Sequence, residues 1–309
     1  MDAKDSTPAL LIHGGAGVIR KDTDEAEHAI RDALAGALRA GGAALQAGGS
    51  ALDAVSAAVV VLEDVPHFNA GHGAVFTHDG RNELDAAIMD GATLRAGAIA
   101  GVQRVRNPVL LARAVMEHSP HVMLAGAGAE AFAREQRIAL VEPEYFRTDH
   151  RWWQLQEALA KEASGRDSTD YFGTVGAVAR DSNGNLAAAT STGGMTNKRW
   201  NRIGDSPVIG AGTYANAHCA VSGTGWGEFY LRTCAAHAIC MRVARGESLA
   251  SAAEDVINRE IPQLGGNGGA IVLGCDGAFA LPFNTQGMYR GWIGADGAPH
   301  VAIWKNDRT

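Results

Sequence analysis

The feature of this sequence that most constrains its fold is a hairpin pattern in the second half of the chain. The turn Asp181-Ser-Asn-Gly-Asn185 lies between two apolar stretches, residues 174–179 and 186–192. Asn-Gly between apolar runs is the strongest short-range hairpin signal, because a tight turn needs positive backbone φ angles and Asn and Gly adopt them readily. The two stretches are therefore predicted to pair as antiparallel strands. The polar run at 163–170 before them is predicted to be an exposed linker.

The register of this hairpin determines which side chains face each other. A turn centred on Asn183 places Thr174 opposite Thr192, with their Cβ atoms within about 5.5 Å. A shift of one residue would turn Thr192 to the other face of the sheet. Two interpretations stay open here: the second hydroxyl supports a reactive Thr174, or the pair only stabilises the sheet.

The step Gly173-Thr174 has the composition of a self-cleavage site. A threonine hydroxyl is a poor nucleophile without a base beside it. A threonine at a chain terminus carries its own base, an α-amino group with a pKa of about 7.7–8.0. Glycine at 173 suits cleavage, because without a side chain it takes strained dihedrals and leaves its carbonyl open to attack. The pattern predicts a chain that cuts itself between Gly173 and Thr174.

Charged and polar residues downstream indicate a pocket for an amino acid. Arg202 and Asp205 lie three residues apart in a glycine-containing loop. They either form a salt bridge or face the carboxylate and the ammonium of an α-amino acid. Thr224-Gly225, just before a helix predicted from Glu228, offers a hydroxyl and exposed backbone N–H groups. These are the ingredients of an oxyanion hole.

The remaining pattern predicts sheets covered by layers of helices, an α+β fold. Strands are predicted at 10–13 before a glycine turn at 14–17, within 74–102, and at 121–124, 208–211, 218–222, 270–274, 279–283 and 301–304. Helices are predicted at 24–47 with a break at Gly41-Gly42, at 51–63 with Ser50 as N-cap, and at 108–118, 228–244 and 248–259.

Composition excludes several classes of partner. The formal charge is −7 with a pI near 5.9, and basic residues are scattered, which argues against a nucleic-acid groove. Residues 1–8 are polar and only five apolar residues follow them, too few for a signal peptide, and no run reaches the length of a membrane span. A cytoplasmic location, without membrane attachment, is expected. The four cysteines lack CxxC spacing and are expected to be free buried thiols.

The sequence resembles the plant-type L-asparaginase and isoaspartyl peptidase family of the N-terminal-nucleophile hydrolases, the threonine type. The resemblance runs through nearly the whole chain, with many motifs in family order. The matching stretches are IHGGAG (12–17), FNAGHGAVFT (68–77), ELDAAIMDG (83–91), GAIAGV (97–102), NPVLLAR (107–113), GTVGAVA (173–179), STGGMTNK (191–198), RIGDSPVIGAG (202–212), TGWGE (224–228) and ALPFNTQGMYRGW (280–292).

The resemblance implies one domain over 1–309 with a four-layer αββα sandwich. It implies maturation into an α chain, 1–173, and a β chain, 174–309, assembled as a dimer of αβ units. The implied activity is hydrolysis of L-asparagine and β-aspartyl dipeptides to L-aspartate through an acyl-enzyme, with no cofactor for catalysis.

The resemblance also assigns roles around the reacting bond. Thr174 is expected to be the nucleophile, its freed amine the base, and Thr192 the hydroxyl that tunes it. Thr224 and the N–H of Gly225 are expected to form the oxyanion hole.

On the substrate side, the resemblance pairs each charge of the amino acid with two groups. Arg202 and the N–H of Gly227 are expected to hold the α-carboxylate. Asp205 and the carbonyl of Gly225 are expected to hold the ammonium, and Asn69 borders the site.

A structural sodium ion is also implied by the resemblance, bound by backbone carbonyls, which are ligands that hard cations accept. The equivalent residues here are Leu62, Glu63, Val65, Phe68, Ala70 and His72.

Two departures from the family flank the binding loop. Trp226 occupies a position expected to be smaller, and Arg199-Trp200-Asn201 replaces a Leu-Pro-Gly type of stretch. Both are expected to affect the choice of leaving group and not the chemistry.

Other functional interpretations of the sequence rest on weaker patterns than these motifs. Residues 126–131 match the dinucleotide fingerprint GxGxxA, but no βαβ unit follows them. His67, His72 and His78 match no metal-ligand spacing and are interpreted as free or core histidines. A glycosylasparaginase-type hydrolase and an uncut, non-catalytic family member are the alternatives to the asparaginase reading. The former is generally exported, and the intact Gly173-Thr174 step argues against the latter.

Overall fold

The structure is a computed structural model that describes residues 9–17, 24–165, 173–294 and 297–307. Its strands are β1 (Ala9–Gly17), β2 (Leu84–Asp90), β3 (Ala96–Val102), β4 (Met123–Ala125), β5 (Val175–Arg180), β6 (Leu186–Thr192), β7 (Thr213–Ala215), β8 (Cys219–Gly225), β9 (Gly268–Gly274), β10 (Phe279–Ala280), β11 (Gly287–Ile293) and β12 (Pro299–Trp304). Its helices are α1 (Asp24–Gln46), α2 (Ala51–Asp64), α3 (Pro108–His118), α4 (Gly126–Glu135), α5 (Asp149–Ala163), α6 (Gly227–Thr233), α7 (Ala235–Ala244), α8 (Leu249–Glu254) and α9 (Ile261–Gln263).

The strands form two sheets. The larger has the order β12-β11-β1-β5-β6-β2-β3-β4 and is antiparallel except for the pair β3–β4. The smaller has the order β10-β9-β8-β7. Strands from before and after Gly173 interleave in the larger sheet, because β5 and β6 lie between β1 and β2.

Three apolar clusters hold these elements together. In the first, α1, α2 and α3 pack on one face of the larger sheet, where Ile12 points. The second lies between the sheets and joins Leu11 and Val178 of the larger to Ile271 of the smaller. The third packs Val272 of the smaller sheet against the last helices. Neighbouring residues of a strand thus face different clusters. The largely antiparallel sheets with helices packed against them are consistent with the predicted α+β class.

The hairpin forms as predicted. Val175 pairs with Ser191 and Gly176 with Thr190, the register that brings Thr174 beside Thr192. The Asp181 carboxylate fixes the turn by accepting hydrogen bonds from the backbone N–H groups two and four residues ahead, at 2.9 and 3.0 Å. A side chain that mimics a backbone turn in this way is typical of aspartate.

Two predicted glycine interruptions are wrong for a common reason. Helix α1 continues through Gly41, where an added Cβ would lie 2.6 Å from Leu10 Cδ2 and 2.8 Å from the Ala54 carbonyl oxygen. The glycine turn expected at 14–17 is part of strand β1, with an irregularity between His13 and Gly15. In both places glycine allows close packing and does not end the element.

Helix α5 was not predicted, because residues 150–163 look polar and weakly patterned. Thr148 caps it by accepting a hydrogen bond from the Arg151 N–H at 3.3 Å. The buried Arg151 guanidinium then donates to the Gly73 carbonyl at 2.7 Å and ties the helix to the loop after α2. Most of the predicted linker, residues 166–170, lies outside the described residues.

Other differences concern short elements. The predicted strand at 208–211 is wrong, since this segment forms a turn with one bridge, Ile209 to Thr213, before β7. The predicted helix at 228–244 is divided at Cys234, whose φ is 47°. Cys234 is also exposed, whereas Cys219 and Cys240 are buried, so burial of all four thiols was a wrong expectation. Among the described residues, none of the helices combines the length and the apolar composition that spanning a membrane requires.

Candidate active site

Thr174 lies immediately before β5 and is nearly buried. Its hydroxyl donates a hydrogen bond to the Thr192 hydroxyl at 3.1 Å. The Thr192 oxygen also accepts from the Gly194 N–H at 3.0 Å, which orients it. The hairpin register therefore brings together the two hydroxyls that the sequence suggested.

Gly173 is pressed against strand β1. A Cβ on Gly15 would lie 2.4 Å from Gly173 Cα, and a Cβ on Gly173 would lie 2.8 Å from Gly15 Cα. Gly15 has a φ of 113°, which other residues rarely adopt. The peptide bond before Thr174 is thus held against β1 by two residues that must both be glycine.

A small pocket lies beside Thr174. Six of its lining residues were predicted from the sequence, namely Gly173, Thr174, Thr192, Arg202, Asp205 and Gly225. Four others were not, namely Gly194, Met195, Gly204 and Ser206. The missed residues lie inside the stretches STGGMTNK and RIGDSPVIGAG, and that position was the available signal.

Arg202 forms a bidentate ion pair with Glu228. Its Nε and Nη2 donate to the two carboxylate oxygens at 2.9 and 2.8 Å. Burial alone would raise the pKa of Glu228, but the hydrogen bonds and charge of Arg202 outweigh it and lower that pKa. Of the alternatives for Arg202, an ion pair does form, but its partner within the described residues is Glu228 of helix α6.

Asp205 is a buried carboxylate with an unused oxygen. Among the described residues, its Oδ2 has no hydrogen-bond partner. Added Cβ atoms on Gly212 and Gly227 would each lie 2.7 Å from its carboxylate, so glycines leave the space it occupies. Burial raises the pKa of Asp205 to about 7, against the opposing charge of Arg202. A cation brought to this oxygen would remove the cost of burying an unpaired charge.

Three other predicted residues are not among the pocket-lining residues but lie next to them. The Thr224 hydroxyl is fully buried and accepts a hydrogen bond from the Ala16 N–H of β1 at 3.2 Å. Gly227 begins helix α6 beside Arg202 and Asp205. Asn69 donates through Nδ2 to the Gly194 carbonyl at 2.7 Å and so supports the wall that holds Thr192.

Comparison with known proteins places the chain in a family. A profile of the asparaginase family matches residues 6–303. The chain belongs to the asparaginase family. This family member is 52% identical over 307 residues to an isoaspartyl peptidase of Salmonella typhimurium, with 96% of this chain and 98% of the relative covered. It is 42% identical over 310 residues to an isoaspartyl peptidase/L-asparaginase of Homo sapiens, with 98% of each chain covered.

The two stretches that were expected to depart from the family lie beside the pocket. The Trp226 ring packs edge-on against Phe229, with 5.2 Å between the ring centroids. Trp200 is 92% exposed. It and Asn201 both have positive φ, 55° and 56°. Neither tryptophan is among the pocket-lining residues.

The residues expected to bind sodium surround the C-terminal end of α2. A Cβ on Gly71, whose φ is 50°, would lie 2.3 Å from the Glu63 carbonyl oxygen, and one on Gly73 would lie 2.1 Å from the Phe68 carbonyl oxygen. The loop thus folds back closely over the helix end, where carbonyls carry partial negative charge. The six residues are Leu62, Glu63, Val65, Phe68, Ala70 and His72.

Proposed function

We propose that this member of the asparaginase family is a self-processing hydrolase that uses Thr174 to cleave β-aspartyl dipeptides and L-asparagine. The observation that carries the proposal is the 3.1 Å contact between the Thr174 and Thr192 hydroxyls in a pocket that also contains Arg202 and Asp205. The names of the relatives, isoaspartyl peptidase and L-asparaginase, support the choice of substrates.

Maturation comes first. The Thr174 hydroxyl attacks the Gly173 carbonyl, the Gly173–Thr174 C–N bond breaks, and water hydrolyses the resulting ester. The products are the α chain, 1–173, and the β chain, 174–309, which together remain one domain. The cut frees the α-amino group of Thr174, which serves as the base in every later turnover.

Turnover repeats this chemistry on the substrate. The amine takes the hydroxyl proton while the oxygen attacks the β-carbonyl, and Thr192 stabilises the nucleophile. Thr224 and the N–H of Gly225 receive the oxyanion. The amine then gives its proton to the leaving nitrogen, the C–N bond breaks, and water releases L-aspartate from the acyl-enzyme. No cofactor takes part in these steps.

The pocket recognises the aspartyl half of the substrate by its two charges. Arg202 is oriented by Glu228, and with the N–H of Gly227 it receives the α-carboxylate. Asp205 and the Gly225 carbonyl receive the ammonium, which supplies the partner that Asp205 Oδ2 lacks. Asn69 borders the same space.

Three features of the folded molecule complete the proposal. The three apolar clusters support a four-layer αββα sandwich of helices, two sheets and helices. The αβ unit acts as a dimer in the cytoplasm, without nucleic acid or membrane as a partner. A sodium ion binds the carbonyls at the end of α2, since the tightly folded loop there presents oxygen ligands that suit a hard cation.

Intact-mass measurement and a side-by-side assay test the proposal. Purified wild type is expected to give two fragments, the smaller beginning at Thr174, whereas Thr174→Ala stays as one chain. Matured protein is expected to hydrolyse β-Asp-Leu and L-asparagine but not a glycosylasparagine. A wild type that stays uncut for days contradicts the self-cleavage step, and preference for the glycosylasparagine contradicts the substrate assignment.

A further inference from the structure

Two small residues stand where the sheets meet behind the nucleophile. Gly176 is the second residue of β5 and lies two positions after Thr174, which precedes the strand. Ser222 lies on β8, two positions before Thr224. Alternation along a strand puts Gly176 on the face of Thr174 and Ser222 on the face of Thr224. A Cβ on Gly176 would lie 2.0 Å from the Ser222 hydroxyl oxygen, so this hydroxyl occupies the space of the missing side chain.

The Ser222 hydroxyl is hydrogen-bonded to both cross-strand partners of Gly176. His13 and Thr190 pair with Gly176 from β1 and β6, so the three residues form a row across the larger sheet. The Ser222 oxygen lies 2.9 Å from His13 Nε2 and 2.7 Å from the Thr190 hydroxyl. His13, Thr190 and Ser222 are all fully buried.

The protonation state of His13 fits this arrangement. Burial lowers the pKa of His13 to about 3, against the opposing influence of the Thr174 backbone. The ring is therefore neutral at neutral pH, and its Nε2 shares one hydrogen bond with the Ser222 hydroxyl, which shares a second with the Thr190 hydroxyl. Thr213 extends the row by donating to the Thr190 oxygen, with an O···O distance of 2.6 Å.

We propose that Ser222 is a positioning residue that sets the spacing between Thr174 and Thr224. Its two hydrogen-bonded neighbours, His13 and Thr190, tie the smaller sheet to the strands on either side of β5. Ser222 is two residues from Thr224, and Gly176 beneath it is two residues from Thr174. Ser222 is not among the pocket-lining residues. This inference rests on the proposed roles of Thr174 and Thr224.

The magnitude of the effect follows from how catalysis depends on alignment. A misplacement of about 1 Å at a reacting group costs on the order of a hundredfold in rate. The Ser222 hydroxyl is hydrogen-bonded to His13 and Thr190 and not to the loop of Arg202 and Asp205, so substrate affinity is expected to be retained. The expected signature is a lower kcat with an unchanged KM.

The test compares variants that separate the hydroxyl from the packing. Ser222→Ala is expected to lower kcat on β-Asp-Leu about tenfold to a hundredfold, with KM within about twofold of wild type. Thr190→Val keeps the shape and loses the hydroxyl, and is expected to lower kcat in the same way. Thr190→Ser keeps the hydroxyl and is expected to restore kcat to within about threefold of wild type.

Ser56→Ala is the matched control. Ser56 is a buried serine that donates to the Leu52 carbonyl inside helix α2, so its loss is expected to leave kcat and KM at wild-type values. Melting temperature and the cleaved fraction are measured for every variant, and rates are normalised to cleaved protein. If Ser222→Ala or Thr190→Val folds but stays uncut, the loss of self-cleavage supports the inference when Thr190→Ser is cut normally. It contradicts the inference when Thr190→Ser also stays uncut.

Two results overturn the inference. The first is a kcat within twofold of wild type in cleaved Ser222→Ala and Thr190→Val. The second is an equal loss in Thr190→Val and Thr190→Ser, which assigns the effect to packing. Failure of wild type to hydrolyse β-Asp-Leu counts against the proposed function instead, because it precedes any comparison of variants.

Discussion

At the scale of single residues, this pocket holds a group that opposes folding. Asp205 is buried with one oxygen unpaired among the described residues, in space that Gly212 and Gly227 leave open. Burying such a carboxylate with an unpaired oxygen costs free energy, and a functional role for it explains why it is tolerated. Its protonation links stability to pH.

Replacing Asp205 by asparagine is expected to stabilise the protein at high pH. The folded-state pKa of about 7 lies above the ordinary value of 3.8, so the folded state favours the protonated, neutral carboxyl. Its contribution to the free energy of unfolding is complete below pH 3.8 and is lost as pH rises through the folded-state pKa of about 7. Asp205→Asn removes this loss, which is on the order of a few kcal/mol. Melting temperatures without substrate should show a larger gain over wild type at pH 8 than at pH 5. An equal gain at both values contradicts the assigned cause.

The Thr192 hydroxyl is predicted to act on the nucleophile directly. Thr192→Val removes the acceptor that lies 3.1 Å from the Thr174 hydroxyl while it keeps the shape of the strand. Steady-state assays should show kcat lowered on the order of a hundredfold, with KM little changed. Thr192→Ser retains the hydroxyl and should keep most of the activity. Equal rates in both variants contradict this role and favour a pair that only stabilises the sheet.

At the scale of elements, packing overrides local sequence signals. Gly41 and Gly42 looked like a break, yet α1 runs through both because the helix lies very close to α2 and β1 at the first of them. A Cβ on Gly41 would meet the Ala54 carbonyl oxygen at 2.8 Å. A Cβ on Gly42 would meet the Ile293 side chain at ordinary contact distances, 3.5 Å from Cδ1 and 3.8 Å from Cγ1.

The two glycines therefore predict opposite effects of alanine. Gly41→Ala forces backbone apart and is expected to destabilise the protein by about 1–3 kcal/mol. Gly42→Ala raises helix propensity without a clash and is expected to be neutral or to stabilise by about 0.5–1 kcal/mol. Denaturant titration of both variants measures the difference. Equal destabilisation by the two would mean that the close contact at Gly41 is not the cause.

At the scale of the whole molecule, the cut that we propose does not separate a domain from its neighbour. Strands β1 and β2 come from before Gly173, and β5 and β6, which lie between them in the sheet, come from after it. Separation would break the β1–β5 and β2–β6 ladders and expose the cluster between the sheets.

The matured fragments are therefore expected to stay together in native buffer. Size-exclusion chromatography should give one peak that contains both chains, and a denaturing gel of that peak should show two bands. Guanidinium chloride should be needed to part them. Elution of the α chain alone from native buffer contradicts the interleaved sheet.

The sequence determined the features that depend on local chemistry. The Asn-Gly turn set the hairpin register and brought Thr174 to Thr192, and Ser50 capped α2 as expected. The motif residues also indicated most of the pocket wall. Tertiary structure decided the rest, because contacts between distant segments leave no local pattern: Glu228 as the partner of Arg202, and the Ser222 hydroxyl seated over Gly176. It also decided which glycines were turns and which were places of close approach, since the residue type is the same in both.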